Sequence, residues 1–190
     1  MSEFLSYIEP KYSQICQNIY LFDTINKEDF HNIYIEYNTA LNEKERNMKQ
    51  SIILFNKCID LIRIKLDELI LNNDYINSLY KDILYESYVN LALIYTNMNT
   101  NKNNNNEYFE IIKSYYEKAS QVYLDRAEPY FYFGIYCNKI NKFNDAYISL
   151  MNAKNKDFSL VFEKYPTAQK SAYGDNINEE LNYTYLHMKN

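Results

Sequence analysis

The stretch Ala127–Phe158, AEPYFYFGIYCNKINKFNDAYISLMNAKNKDF, decides the fold. Tyr130, Phe133 and Cys137 recur at steps of three and four, the spacing of one helical face. Asn138–Asn141 then interrupts the pattern as a turn, and Ala146, Leu150 and Ala153 resume it on a second helix. Two short antiparallel helices follow from that order. Gly134 and Ala146 are small where the two helices must come closest. A bulky side chain at either position would cost about 1–3 kcal/mol through overpacking.

The same order occurs once more upstream. Tyr88, Leu91, Ala92 and Tyr95 correspond in turn to Tyr130, Phe133, Gly134 and Cys137. A partner helix over Glu107–Tyr123 supplies Ile112, Tyr116 and Ala119, and a period of about 34 residues separates Ala119 from Ala153. The tract Asn97–Asn106, nearly all Asn, Thr and Lys, is an insertion read as a loop, because it has too little apolar surface to offset the entropy of ordering. Loop closure grows slowly with length, so the insertion leaves the register intact.

Helix–turn–helix units of this length and residue order resemble the tetratricopeptide repeat, with Phe158 where such a unit often ends in proline. The resemblance implies an all-α, right-handed α-α superhelix of TPR-like hairpins. A second resemblance covers Tyr85–Lys164. Arg126-Ala127-Glu128-Pro129-Tyr130, Ala146-Tyr147 and Phe162-Glu163-Lys164 are similar to the helical repeat region appended to certain family-2-type glycosyltransferases. That likeness implies an accessory module or remnant beside a sugar-transfer enzyme. The chain departs from those enzymes in having no Asp-x-Asp motif and no alternating strand–helix half to carry one.

Upstream of the repeats, Pro10–Phe22 has Tyr12, Ile15, Cys16, Ile19 and Tyr20 at helical spacing, and Lys27–Leu41 has Phe30, Ile33, Tyr34, Tyr37 and Leu41. Glu43–Leu71 reads as one continuous helix, roughly 40 Å long at about 1.5 Å per residue. Its Met48, Ile52, Phe55, Ile59, Ile62, Leu66 and Leu69 form a heptad-like seam. The seam has two readings: a homodimer through Met48–Leu69, or packing within the chain. Ile53, Leu54, Cys58 and Leu61 widen the stripe and favour the second. Asn72-Asn73-Asp74 then stops the helix, and Tyr75–Tyr95 begins the next. Downstream, Ser159–Tyr165 reads as a short helix halted by Pro166, and Ala168–Asp175 as irregular with Gly174 as hinge or cap. Ile177–Met188 is expected to cap the stack through Leu181, Tyr185 and Leu186. One all-helical domain over 1–190 results, divided into N-terminal helices (10–71), two units (75–126 and 127–158) and a capping segment (159–190).

Composition agrees with that architecture. Two glycines and three prolines in 190 residues suit helices with short turns and argue against a turn-rich sandwich. The abundance of Asn, Lys, Ile and Tyr fits coding DNA rich in A and T, so the tyrosines are read as packing residues. A net charge of -5 with interspersed signs offers no basic stripe for nucleic acid. No apolar run reaches the ~20 residues of a membrane span, and the opening MSEFLSYIEPK lacks the apolar core of a secretory signal. Cys16, Cys58 and Cys137 are unpaired by spacing and read as buried thiols, which places the protein in the cytoplasm.

No catalytic constellation emerges, and neither metal nor cofactor is expected. His31 and His187 are far apart in sequence, Gly134 and Gly174 cannot build a phosphate loop, and Glu107/Glu110 and Glu179/Glu180 read as solvated helix faces. The expected function is therefore a non-catalytic protein–protein interaction scaffold or adaptor. The tetratricopeptide resemblance assigns a concave groove to Glu86, Val89 and Leu93 of one unit and Glu128, Phe131, Ile135 and Asn138 of the next. Val89 and Phe131 stand where the family's carboxylate-binding members carry cations, so the partner implied is an apolar or amphipathic helix or peptide. Each large anchor would contribute about 1.5–3 kcal/mol. On this reading Phe131→Lys weakens partner binding and leaves the fold intact. The competing arrangement has the chain's own N-terminal helices filling the groove.

Overall fold

The computed structural model describes residues 24–68, 74–100, 107–156 and 167–188, and these form seven helices and no strand. They are α1 (Thr24–Arg46), α2 (Met48–Glu68), α3 (Asp74–Thr100), α4 (Phe109–Val122), α5 (Glu128–Lys139), α6 (Phe143–Lys154) and α7 (Thr167–Met188). Each helix packs on its neighbours in sequence; α1 also meets α3, and α5 also meets α7.

Helices α1 and α2 form a tight hairpin around one residue. Lys44 and Arg46 close α1 where cations offset its dipole. Asn47 then starts α2, its Oδ1 accepting the Gln50 amide at 3.2 Å as an N-cap. Ser51 Oγ donates to the Ala40 carbonyl at 2.7 Å, and further along the pair Lys65 Nζ meets Asp29 Oδ2 at 2.7 Å. The hairpin corrects the single helix expected over 43–71: Glu43–Arg46 belong to α1, and the chain reverses at Asn47. Phe55, Ile59 and Ile62 of the seam lie in a core shared with α1 and α3, inside the chain.

Helix α3 is the central element. From Ile83 to Ala92 every residue except Glu86 is buried, as expected of a helix covered on most sides. It runs on to Thr100, so the first four residues of the Asn-rich tract are helical and not loop. Asn99 explains why: its buried amide Nδ2 donates to Tyr136 Oη at 2.8 Å, a tertiary bond that composition does not reveal. Helix α4 pairs with α3, Tyr115 lying against Tyr88 and Tyr95, while its Phe109 and Tyr116 rings meet Phe133 of α5.

Helices α5 and α6 fall inside the boundaries read from the sequence. Pro129 sits in the first turn of α5, where its missing N–H costs nothing. The turn is closed by Asn141 at φ 61°, with Lys142 N–H bonding Cys137 O at 2.9 Å and Asn141 N–H bonding Asn138 O at 3.1 Å. That pair of bonds is the Schellman arrangement, with asparagine taking the left-handed residue. Gly134 faces α6 so closely that a Cβ there would lie 2.6 Å from Leu150 Cγ and 2.8 Å from Leu150 Cδ2.

Helix α7 packs mainly along α6. It is continuous through 168–175 and includes Gly174, which corrects the irregular segment expected there. Between Asn176 and Met188 its buried positions are Ile177 and Thr184, with Leu181 half-buried between them. Tyr185 and Leu186, expected in the cap contact, are 51% and 63% exposed. Pro10–Phe22 and Ser159–Tyr165 lie outside the described residues.

The core follows the chain as three successive clusters. The first joins α1, α2 and α3 with Ala119; the second joins Ala92, α4 and α5 with Ala146; the third joins α5, α6 and Ile177 of α7. Tyr132 packs against all three. Ala119 and Ala153 are each fully buried, the first in the cluster of Tyr85 and Val89, the second in the cluster of Ala127 and Phe131. Among the described residues no helix is long and apolar enough to cross a membrane. Cys58 and Cys137 are buried free thiols, each pushed up to about 12 chiefly by burial.

Candidate functional site

The seven residues assigned to a groove lie on α3 and α5, and the structure treats them unequally. On α3, Val89 is 7% exposed and belongs to the first core cluster, while Glu86 and Leu93 keep partial access to solvent. On α5, Phe131 is 4% exposed in the third cluster, so the face intended for a partner is occupied there. Ile135 is half-buried against that cluster, and Asn138 is buried. Among the described residues the occupant is α7, through Ile177, Leu181 and Thr184.

Polar groups hold the occupied part in register. Asn138 Nδ2 donates to Glu180 Oε2 at 2.7 Å and approaches the Glu180 carbonyl at 3.4 Å. Thr184 Oγ1 lies 2.9 Å from Asn138 Oδ1 and 2.6 Å from the Glu180 carbonyl, so its one proton serves either acceptor. Glu180, read from sequence as part of a solvated pair, is therefore half-buried and bonded to α5.

Between α3 and α5 lies a second polar set that the sequence reading missed. Tyr85 Oη donates to Glu128 Oε2 at 3.2 Å. Arg126, buried in the α4–α5 connection, has its guanidinium carbon 4.4 Å from the Tyr85 ring centre and 4.2 Å from that of Tyr123. Its Nη2 reaches Asp82 Oδ1 at 3.3 Å, and Tyr123 Oη donates to the same oxygen at 2.8 Å. Burial, and after it the Glu128 carboxylate, raise the Tyr85 phenol well above its ordinary value of 10.0. A guanidinium between two aromatic faces contributes about 2 kcal/mol when desolvated, and this one fastens the α4–α5 connection onto α3. The available signal was a lone arginine three residues after a tyrosine in a connection too short to leave it in water.

At the α1–α3 contact, Lys44 Nζ donates to Asn90 Oδ1 at 2.7 Å, and Asn90 Nδ2 donates to the Glu86 carbonyl at 2.8 Å. Burial lowers the Lys44 pKa from its ordinary value, against opposing pulls from Glu86 and Glu45. Helix α1 thus approaches the α3 part of the face near Glu86 without bringing Leu93 to full burial.

The residues assigned to hairpin packing differ in burial. Tyr88, Leu91, Ala92, Ala119, Gly134, Ala146, Leu150 and Ala153 are buried, and Tyr95, Tyr130 and Phe133 are half-buried at their edges. Ala92 shares a cluster with Tyr116, and Gly134 meets Leu150. Glu107 and Glu110 are exposed, and His187 stacks on Phe143 at 5.2 Å. Among the described residues no group of three or more His, Cys, Asp or Glu could hold a metal ion. No family model matches the chain, and a search of curated proteins gives no match either.

Proposed function

We propose that the chain is a non-catalytic scaffold for protein–protein interaction, built from two TPR-like hairpins within a right-handed stack. The observation that supports this reading is a small buried residue on the first helix of each hairpin: Ala92, which shares a cluster with Tyr116, and Gly134, which lies against Leu150. Repetition of one hairpin gives an extended face of first helices, and such faces hold peptides and helices. The part that keeps some access to solvent is around Glu86 and Leu93 on α3, which suits an amphipathic helix with an apolar strip and a basic flank. The two buried free thiols fit a reducing compartment, and the cytoplasm is the location that goes with it. Self-association through Met48–Leu69 is disfavoured, since Phe55, Ile59 and Ile62 are already used inside the chain.

Leu93→Lys tests the reading. Leu93 is partly buried at the edge of the first core cluster, so the comparison is made once the variant's melting temperature has been shown to lie within a few degrees of wild type. Affinity capture from the native cell, compared between wild type and Leu93→Lys, should lose at least one partner that binds saturably. An unchanged set of partners at unchanged amounts rejects the groove.

A further inference from the structure

Resting on the scaffold reading, we infer that α7 is a built-in ligand of the α5 part of the face, and that an external amphipathic helix of the same register competes with it. Ile177 and Leu181 join Phe131, Ile135 and Leu150 in one apolar cluster, while Glu180 and Thr184 engage both ends of the Asn138 amide. The pattern read by α5 is therefore an aliphatic residue, a carboxylate three positions on, a second aliphatic next to it, and a hydroxyl three beyond that. This is the chemistry of the competing helix.

Three features make the attachment reversible. From Asn176 to Met188 only Ile177 and Thr184 are buried, so this part of α7 is held by a narrow strip, with Tyr183 and His187 beside Phe143 of α6. Elements with few buried contacts open at the low end of a protein's stability range. The receiving residue at the centre of the strip is asparagine, which is satisfied by Glu180 and Thr184 when covered and by water when open. Leucine there would favour the covered state alone. Removing α7 also leaves the close contact of α5 with α6 at Gly134 and Leu150 in place.

The test uses the full chain and a labelled synthetic peptide with the sequence of residues 176–188, titrated by fluorescence anisotropy. Leu181→Asp weakens the resident helix without touching the receiving face. The peptide should bind the Leu181→Asp chain at least tenfold more tightly than wild type, and a peptide carrying the same change should bind neither. Equal affinity for the two chains, or binding that survives the altered peptide, overturns the inference. Should Leu181→Asp fail to fold, hydrogen exchange on the wild type decides. Amides of 180–187 exchanging ahead of 131–138 support the inference, and exchange of both segments in one step overturns it. Failure of the scaffold reading has a separate signature, the unchanged partner set of Leu93→Lys.

Discussion

At Gly134 the α5 backbone approaches α6 so closely that even a methyl group meets the branch point of Leu150. That atom is held by a fully buried side chain and cannot swing aside at its far end. Gly134→Ala should therefore destabilise the chain by about 1–3 kcal/mol, outweighing the smaller helix-propensity gain of roughly 1 kcal/mol. A urea titration with an unchanged midpoint would show that Leu150 relaxes freely. Phe131 gives a different lesson. Read as a groove residue, it tolerates lysine; buried among Leu150, Ala153 and Ile177, it does not. Phe131→Lys should cost about 3 kcal/mol or more, from the lost aromatic packing and a buried ammonium. Retention of the wild-type melting temperature would return Phe131 to the solvent-facing set.

The helices themselves were legible wherever apolar residues recur at three and four, as in α4, α5 and α6. What escaped were features fixed by single residues. Glu43–Arg46 and Met48–Lys57 both favour helix, so the stripe reads unbroken through Asn47, and the cap bond to Gln50 marks the reversal. Asn47→Ala should lose about 1 kcal/mol, read as a lowered urea midpoint. An unaffected midpoint would assign the reversal to hairpin packing alone. Asn99 misled in the other direction: asparagine signals a loop until a distant tyrosine satisfies it. For the face of first helices, the sequence named residues that lie on α3 and α5 but could not tell which were covered. That depends on α7, whose buried pair Ile177 and Thr184 includes a polar residue that hydropathy passes over.

At the scale of the whole molecule, the core holds neutral phenols and thiols whose ionised forms it excludes. Burial raises Tyr37, Tyr85 and Tyr116 above the ordinary 10.0, and Cys58 and Cys137 from 9.0 to about 12. Each folded value is raised, so the unfolded chain releases these protons first as pH increases. The stability linked to them is complete below pH 9, falls as the unfolded groups ionise above it, and continues to fall toward the folded values. Urea midpoints should be flat with respect to these groups from pH 7 to 9 and decline from pH 9 to 11. A flat profile to pH 11 would mean that water reaches the buried rings.

The three clusters linked by Tyr132 place most contacts between neighbours along the chain, and few between distant segments. In evolutionary terms the architecture is modular in length. A hairpin could be duplicated or deleted by rejoining the two surfaces on either side of it, where a protein with a single shared centre would have to be rebuilt throughout.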